Sequence, residues 1–229
     1  MKLNSIDVSK EELWKNKNYD LMKFDRAKII KNTTEAPTWI HFGGGNIFRA
    51  FLAAVQQERL NSGEASTGII AAEGYDYEII DKLYKPHDNL GLAVTLHSDG
   101  SIDKTIIGSV TESLVIDPSR NDWKRLIEIF EAPTLRMVSF TITEKGYNLR
   151  NQQGEVFPLV QSDFEKGPLN PESYIGKLAV LCYYRFLAGE LPVALVSMDN
   201  CSHNGTRLYN AVNEFAVQWE NRGLVKKGF

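Results

Sequence analysis

The sequence is poor in cysteine: Cys182 and Cys201 are the only two in 229 residues. Two cannot build a disulfide framework, and without further ligands they do not make a zinc site. Both are expected to be reduced, partly buried thiols, and no metal is expected. A surplus of positive charge is also missing. Lys and Arg number 26 against 29 Asp and Glu, a formal net charge of −3. A protein that neutralises a phosphate backbone needs such a surplus, so nucleic acid is excluded as the main partner. No apolar run is long enough for a bilayer. The longest, LAVLCYYRFLAG, is broken by Arg185, so no membrane partner is expected. The opening residues, MKLNSIDVSKEELWKNKNYD, lack the apolar core of a secretory signal. The expected compartment is therefore the cytoplasm, and the sequons at Asn32 and Asn204 are not read as sugar sites. Repeats, low-complexity tracts and long Pro/Ser linkers are absent too.

What is present is an alternation of two hydrophobic periods. TWIHFG (38–43), STGIIAAEG (66–74), LRMVSFTIT (135–143) and PVALVSMDN (192–200) read as strands, several of them nearly continuous apolar runs. Such runs suit strands covered on both faces, as in parallel sheets. Between them lie amphipathic segments. One starts at Asn46 and ends near Gly63, a short one is stopped by Pro86, and another is capped by Asn121 or Asp122 and stopped by Pro133. Two more cover 175–189 and the stretch ending at Gly223. LGLAVTLHSDG and SIDKTIIGSV read as a hairpin about Ser98-Asp99-Gly100. The expected fold class is α/β, a doubly wound, mostly parallel, Rossmann-like sheet with an antiparallel hairpin as an embellishment. Residues 1–37 are expected to be an extension packing on a domain that covers 38–229.

Gly43, Gly44 and Gly45 sit between the first strand and the helix that follows it. That is the context of a dinucleotide fingerprint. One glycine permits the tight turn, and Gly45 removes a side chain where backbone must approach a pyrophosphate. Amides at the positive helix end would hold the negative charge. The third position of the usual pattern is Phe48, so the fingerprint is incomplete unless Ala50 supplies the small residue; a plain strand-to-helix turn is the alternative. Glu73 ends the next strand, where an acid can bind both ribose hydroxyls of NAD and repel the 2′-phosphate of NADP. Asp76 is a second candidate, although it is the better helix cap of the two. Two further strand ends are dense in polar residues: Thr141, Thr143, Glu144, Lys145 and Tyr147, and then Ser197, Asp199, Asn200, His203 and Asn204. Glu144 as a surface ion pair, Asp199 as a turn or cap, and Lys145 and His203 as solvated loop residues are the competing structural readings.

Taken in order, HFGGGNIFRAF, TITEKGY and SMDNCSHNG resemble the nucleotide-binding half of the mannitol dehydrogenase and fructuronate reductase family, the long-chain polyol-specific dehydrogenases. The resemblance runs from about Trp39 to the end of the chain. It implies an NAD-dependent oxidoreductase that interconverts a polyol or sugar acid with its keto-sugar: mannitol with fructose, or mannonate with fructuronate. Together with the strand-end acids, it points to a cofactor site at Gly43, Gly44, Gly45, Asn46, Ile47, Phe48, Arg49, Glu73, Asp76, Thr141, Thr143, Glu144, Ser197 and Asn200, with Asp199 and Asn200 toward substrate. Phe48 stands where the family usually has histidine. The family's general base is a lysine in a Lys-x4-Asn-x2-His pattern of a helical C-terminal domain. No such pattern occurs among these residues, so the chain reads as the N-terminal domain of a longer enzyme, with that domain as its partner and no catalytic residue of its own. A non-catalytic dinucleotide-sensing module and a nucleotide-binding transferase on the same fold are the competing functions.

Overall fold

The computed structural model describes residues 2–229. The chain divides into two compact units, one up to Leu114 and one from Val115 to Phe229. The expected boundary at residue 37 therefore falls inside the first unit.

The first unit begins with the short helices α1 (Ser5–Val8) and α2 (Glu11–Lys15), strand β1 (Tyr19–Asp20) and helix α3 (Arg26–Glu35). Strand β2 (Trp39–Phe42) follows, then α4 (Ala53–Asn61), β3 (Ile69–Glu73) and α5 (Tyr77–Ile79). Strands β4 (Gly91–Leu96), β5 (Ile102–Ile107) and β6 (Val110–Val115) complete it, the last residue of β6 being the first of the second unit. β2 and β3 are parallel, Ile40 opposite Ile70 and Phe42 opposite Ala72, and β6 lies on the other side of β3. All of β3 is buried, as its unbroken IIAAE run requires of a strand covered on both faces. β4 and β5 form the expected hairpin, with Leu96 opposite Ile102 and Gly91 opposite Ile107. β1 adds to the hairpin in parallel, Tyr19 opposite Lys104. Val8 and Trp14 of the leading segment bury against Leu90 and Ile106.

Several expectations are corrected here. The helix does begin at Asn46 as expected, but it widens into a π-helical turn over Phe48–Leu52 before becoming α4. A second such turn, Ile80–Tyr84, extends α5. Pro86 does not stop the helix. It sits in the first turn of a tight 3-10 segment, Lys85–His87, where its missing N–H has no partner to lose. The chain leaves helical geometry at Asp88, with φ 52°. Strand β6, which follows β5 after a break of two residues, is an element the hydrophobic pattern did not separate.

The second unit holds α6 (Asp122–Glu131), β7 (Met137–Phe140), α7 (Pro158–Lys166), α8 (Tyr174–Leu187), β8 (Ala194–Ser197) and α9 (Asn204–Asn221). β7 and β8 are parallel, from Met137 opposite Ala194 to Phe140 opposite Ser197. Arg185, broken out of the longest apolar run, is buried. Its guanidinium donates to the carbonyls of Phe130, Ala132, Leu135, Leu191 and Pro192 at 2.7–3.0 Å, closing the C-terminal end of α6. Asp163 on α7 accepts from Ser173 N–H and Oγ at 2.8 and 2.6 Å, and Ser173 in turn caps α8 through Gly176. Asn121 precedes α6 but makes no side-chain cap bond; Asp122 instead accepts from the Val115 N–H at 2.9 Å. The two units together place a parallel, helix-covered α/β plan and an antiparallel hairpin in one chain.

Candidate functional site

In the first unit the three glycines do three different things. Gly43 has φ 123°, a conformation that requires glycine, and its N–H donates to Ala72 O at 2.8 Å, one step past the end of β2. Gly44 is clamped. Its N–H donates to Glu73 Oε2 at 2.8 Å and its carbonyl accepts from Tyr84 Oη at 3.0 Å. A Cβ there would come within 2.9 Å of Ile79 Cγ2 and 3.3 Å of Tyr84 Cε2. Gly45 is open: nothing lies within 4 Å of where its Cβ would stand. Its carbonyl accepts the Arg49 N–H at 3.1 Å, which begins the helix.

Beyond the turn, Asn46 Oδ1 accepts from Arg49 Nη2 at 2.5 Å, and Arg49 Nε is buried with no partner among the described residues. Ile47 is 66% exposed. Phe48 is fully buried, its ring stacked on His41 with centroids 4.4 Å apart and planes 4° from parallel. Phe48, expected at the cofactor, thus has its ring packed in the core. The ring belongs to the face of the helix turned to the core, where stacking on a buried imidazole is worth more than partial exposure. Burial pushes the His41 imidazole down to about 3, so it is neutral at physiological pH.

Glu73 is only 7% exposed. Besides the bond from Gly44, its Oε1 accepts the N–H groups of Gly74 and Tyr75 at 2.9 Å each and of Asp76 at 3.4 Å. Asp76 is exposed and makes no side-chain cap bond. The expected cap role of Asp76 is corrected, and Glu73 is engaged by backbone amides. The inward carboxylate gathers the free amides of the turn, because burying it without those donors would cost several kcal/mol, roughly.

The second unit brings the two polar strand ends together around Asp199. Its Oδ2 accepts from Ile142 N–H at 3.0 Å and its Oδ1 from Thr143 N–H at 2.9 Å. Tyr147 Oη donates to Asp199 Oδ2 and lies 2.8 Å from Ser197 Oγ. Burial, and then that bond to Asp199, raise the Tyr147 phenol above its ordinary range. Thr143 is held at φ 66°, outside the usual range for a β-branched residue. Asn204 Nδ2 donates to the Asp199 carbonyl at 2.9 Å, and Glu144 pairs with Arg207 at 2.9 Å. Thr141 is half-buried at the end of β7, while Lys145, Asn200 and His203 are exposed. With both Asp199 oxygens engaged by the protein, Asp199 is a brace, and Asn200 is the exposed amide beside it. Tyr84, Ile79 and Arg207 were missed in the sequence. Nothing in the one-dimensional pattern links them to Gly44 or Glu144.

Among the described residues no group of three or more His, Cys, Asp or Glu side chains is placed to hold a metal, and no helix is long and apolar enough to cross a membrane. Both cysteines are free and half-buried.

A parallel strand that runs through a glycine turn into a helix, with the next strand's terminal carboxylate closing on that turn, defines an α/β domain of the Rossmann class. The family described as the mannitol dehydrogenase Rossmann domain matches residues 37–227, and the chain belongs to that family. D-mannonate oxidoreductase of Thermotoga maritima is 49% identical over the whole chain, which spans 42% of that protein. D-mannonate oxidoreductase of Escherichia coli is 30% identical over 72% of the chain, spanning 34% of its own length. The solved structure of Pseudomonas fluorescens mannitol 2-dehydrogenase, a ternary complex with NAD and D-mannitol, superimposes with a TM-score of 0.76. It is 27% identical and covers 98% of this chain, which spans 44% of it. The chain thus spans less than half the length of these relatives.

Proposed function

We propose that this chain is the NAD-binding part of an oxidoreductase that interconverts a sugar acid with its keto form by hydride transfer. The observation that carries the reading is the turn at Gly43–Gly45. It is bent by one glycine and clamped at the next, and it leaves open space beside the third at the mouth of a helix. That space, the amides beside it and the partnerless Arg49 Nε fit a diphosphate. NAD, when bound, supplies the acceptor or donor of the hydride. The chain's own residues supply binding and orientation. Gly45 and Asn46 line the diphosphate, and Glu73 and Asp76 stand at the adenosine end. Asn200 hydrogen-bonds the substrate's reacting oxygen from a loop that Asp199 holds still.

The mannonate and fructuronate pair is favoured over polyols because the 49% relative is a D-mannonate oxidoreductase. Lys145 and His203 are exposed, and neither is braced as a proton-transferring group would be. We therefore assign that proton to a lysine outside these residues, in a further domain that completes the enzyme. The cytoplasm remains the compartment we assign. Calorimetric titration of the chain with NADH tests the cofactor part: saturable binding is expected, and none at millimolar NADH contradicts it. An assay with fructuronate and NADH tests the rest. Turnover by these residues alone would contradict the assignment of the lysine and point to Lys145 or His203.

A further inference from the structure

A cavity of about 230 Å³ lies in the first unit beside the helix that leaves the glycine turn. Liquid water occupies about 30 Å³ per molecule, so the cavity has room for a small organic molecule rather than one solvent molecule. Both π-helical turns face it: Arg49 comes from one, and Leu83 and Tyr84 come from the other. Such turns give up regular hydrogen bonding and collect at functional sites. Leu92 and Val110 add apolar wall, and Asn89 adds an amide. Two of these side chains carry unmet polar capacity. The Arg49 guanidinium bonds Asn46 Oδ1 through Nη2, its Nε is buried without a partner, and no carboxylate neutralises it among the described residues. Asn89 Nδ2 donates to the Thr111 carbonyl at 3.4 Å, and Asn89 Oδ1 is buried with no partner among the described residues. A buried donor and a buried acceptor left unpaired are costly, and a ligand that supplies both partners relieves both.

We propose that this cavity is a regulatory site for a small hydroxycarboxylic acid with an alkyl body, and that its occupation opposes NAD binding. The carboxylate pairs with Arg49, the hydroxyl donates to the Asn89 amide oxygen, and the alkyl part lies on Leu83, Leu92 and Val110. A sugar acid has no alkyl part to place on that wall, so the substrate proposed above is not the ligand of this site. The antagonism follows from two shared contacts. Arg49 offers its guanidinium to the diphosphate in the NAD reading, on which this half of the inference rests, and a second anion there competes for the same charge. Tyr84 lines the cavity and donates to the Gly44 carbonyl at 3.0 Å, while the Arg49 N–H donates to that of Gly45 at 3.1 Å. A ligand that shifts either π-helical turn therefore shifts the glycines.

The test is calorimetric titration of the chain with 2-hydroxy-4-methylpentanoate, with 4-methylpentanoate, and with NADH in the presence and absence of the first acid. Ionic strength is held constant, at a temperature where each protein is fully folded. Saturable binding of the hydroxy acid is expected, about tenfold tighter than that of the acid without the hydroxyl, which leaves the Asn89 amide oxygen unpaired. Saturating hydroxy acid is expected to raise the NADH Kd at least about fivefold, and NADH the Kd of the acid by the same factor. Two variants locate the acid. Leu92→Trp fills the cavity from a strand position that is already 46% exposed. Asn89→Gly removes the amide at a residue whose φ of 59° glycine adopts freely. Each is expected to weaken the hydroxy acid about tenfold and to change the NADH Kd by less than about twofold. Acid binding unchanged in both variants would overturn the proposal, because the acid would then sit elsewhere. So would a wild-type chain that binds NADH and takes up neither acid. An NADH Kd unmoved by saturating acid would overturn the antagonism. A chain that binds the acid, loses it in both variants and takes no NADH would overturn the NAD reading instead, and would support the cavity site.

Discussion

The glycine corner of the first unit and the strand ends of the second solve the same physical problem by different means. In each, a carboxylate accepts backbone N–H groups from a neighbouring strand end: Glu73 from Gly44, and Asp199 from Ile142 and Thr143. In the first, the unusual backbone conformation falls on Gly43 at φ 123°, where it is cheap. In the second it falls on Thr143 at φ 66°, where it is strained and must be held from outside. The glycine corner is set by what its residues lack. The threonine corner is set by what holds it.

The comparison breaks most readily at Asp199. Removing its carboxylate in Asp199→Ala leaves two amides without an acceptor and the Tyr147 hydroxyl with Ser197 Oγ alone, and should cost on the order of 3 kcal/mol in urea unfolding. A loss under about 1 kcal/mol would mean that water replaces the brace and that Thr143 is not held by it. Next in size is a contrast within the glycine triplet. Gly44→Ala drives a methyl to 2.9 Å from Ile79 Cγ2 and should destabilise by about 2 kcal/mol. Gly45→Ala enters open space at a residue without positive φ, and should change stability by less than about 0.5 kcal/mol. Equal losses would erase the distinction between clamped and open glycine.

The buried imidazole behind Phe48 gives a pH effect. His41 has its folded pKa depressed from 6.5 to about 3, so below pH 6.5 the unfolded chain binds more protons than the folded one. Stability is therefore fully present above pH 6.5. It falls by up to about 1.4 kcal/mol per pH unit as the pH drops toward 3. His41→Asn should flatten that slope in denaturation curves at pH 5 and 6. The smallest effect sharpens the comparison from the other side. Thr143→Gly relieves the strained φ at the price of chain entropy, and should stabilise by no more than about 1 kcal/mol while leaving the Asp199 bonds in place. Destabilisation would show that the threonine side chain, and not only its backbone, is needed there.

This contrast also explains which parts of the fold were legible in the sequence. β2 and β3 announced themselves because strands covered on both faces are nearly continuous apolar runs, and the glycine turn because its backbone demands glycine. Helix ends with left-handed residues, such as Gly63 and Gly189, were visible for the same reason. Strand β6 was hidden because only Gly108 and Ser109 separate it from β5, too short a break for the pattern to register. The burial of Phe48 was not legible, because nothing in the sequence signalled the wide turn at 48–52 that it opens. The spacing of Glu73 and Asp76 was plain, but which of two acids turns inward depends on four amides brought from three other residues and a distant turn. Thr143 carried no signal at all. Its conformation is imposed by Asp199, more than fifty residues along the chain.

The most direct measurement of the central claim is the NADH affinity of Gly45→Val, set beside its unfolding free energy. The space beside Gly45 is empty of protein atoms, so the variant is expected to unfold at nearly the wild-type denaturant concentration yet bind NADH at least about tenfold more weakly. Unchanged affinity in a folded variant would contradict the account, because the diphosphate would then lie somewhere other than that turn.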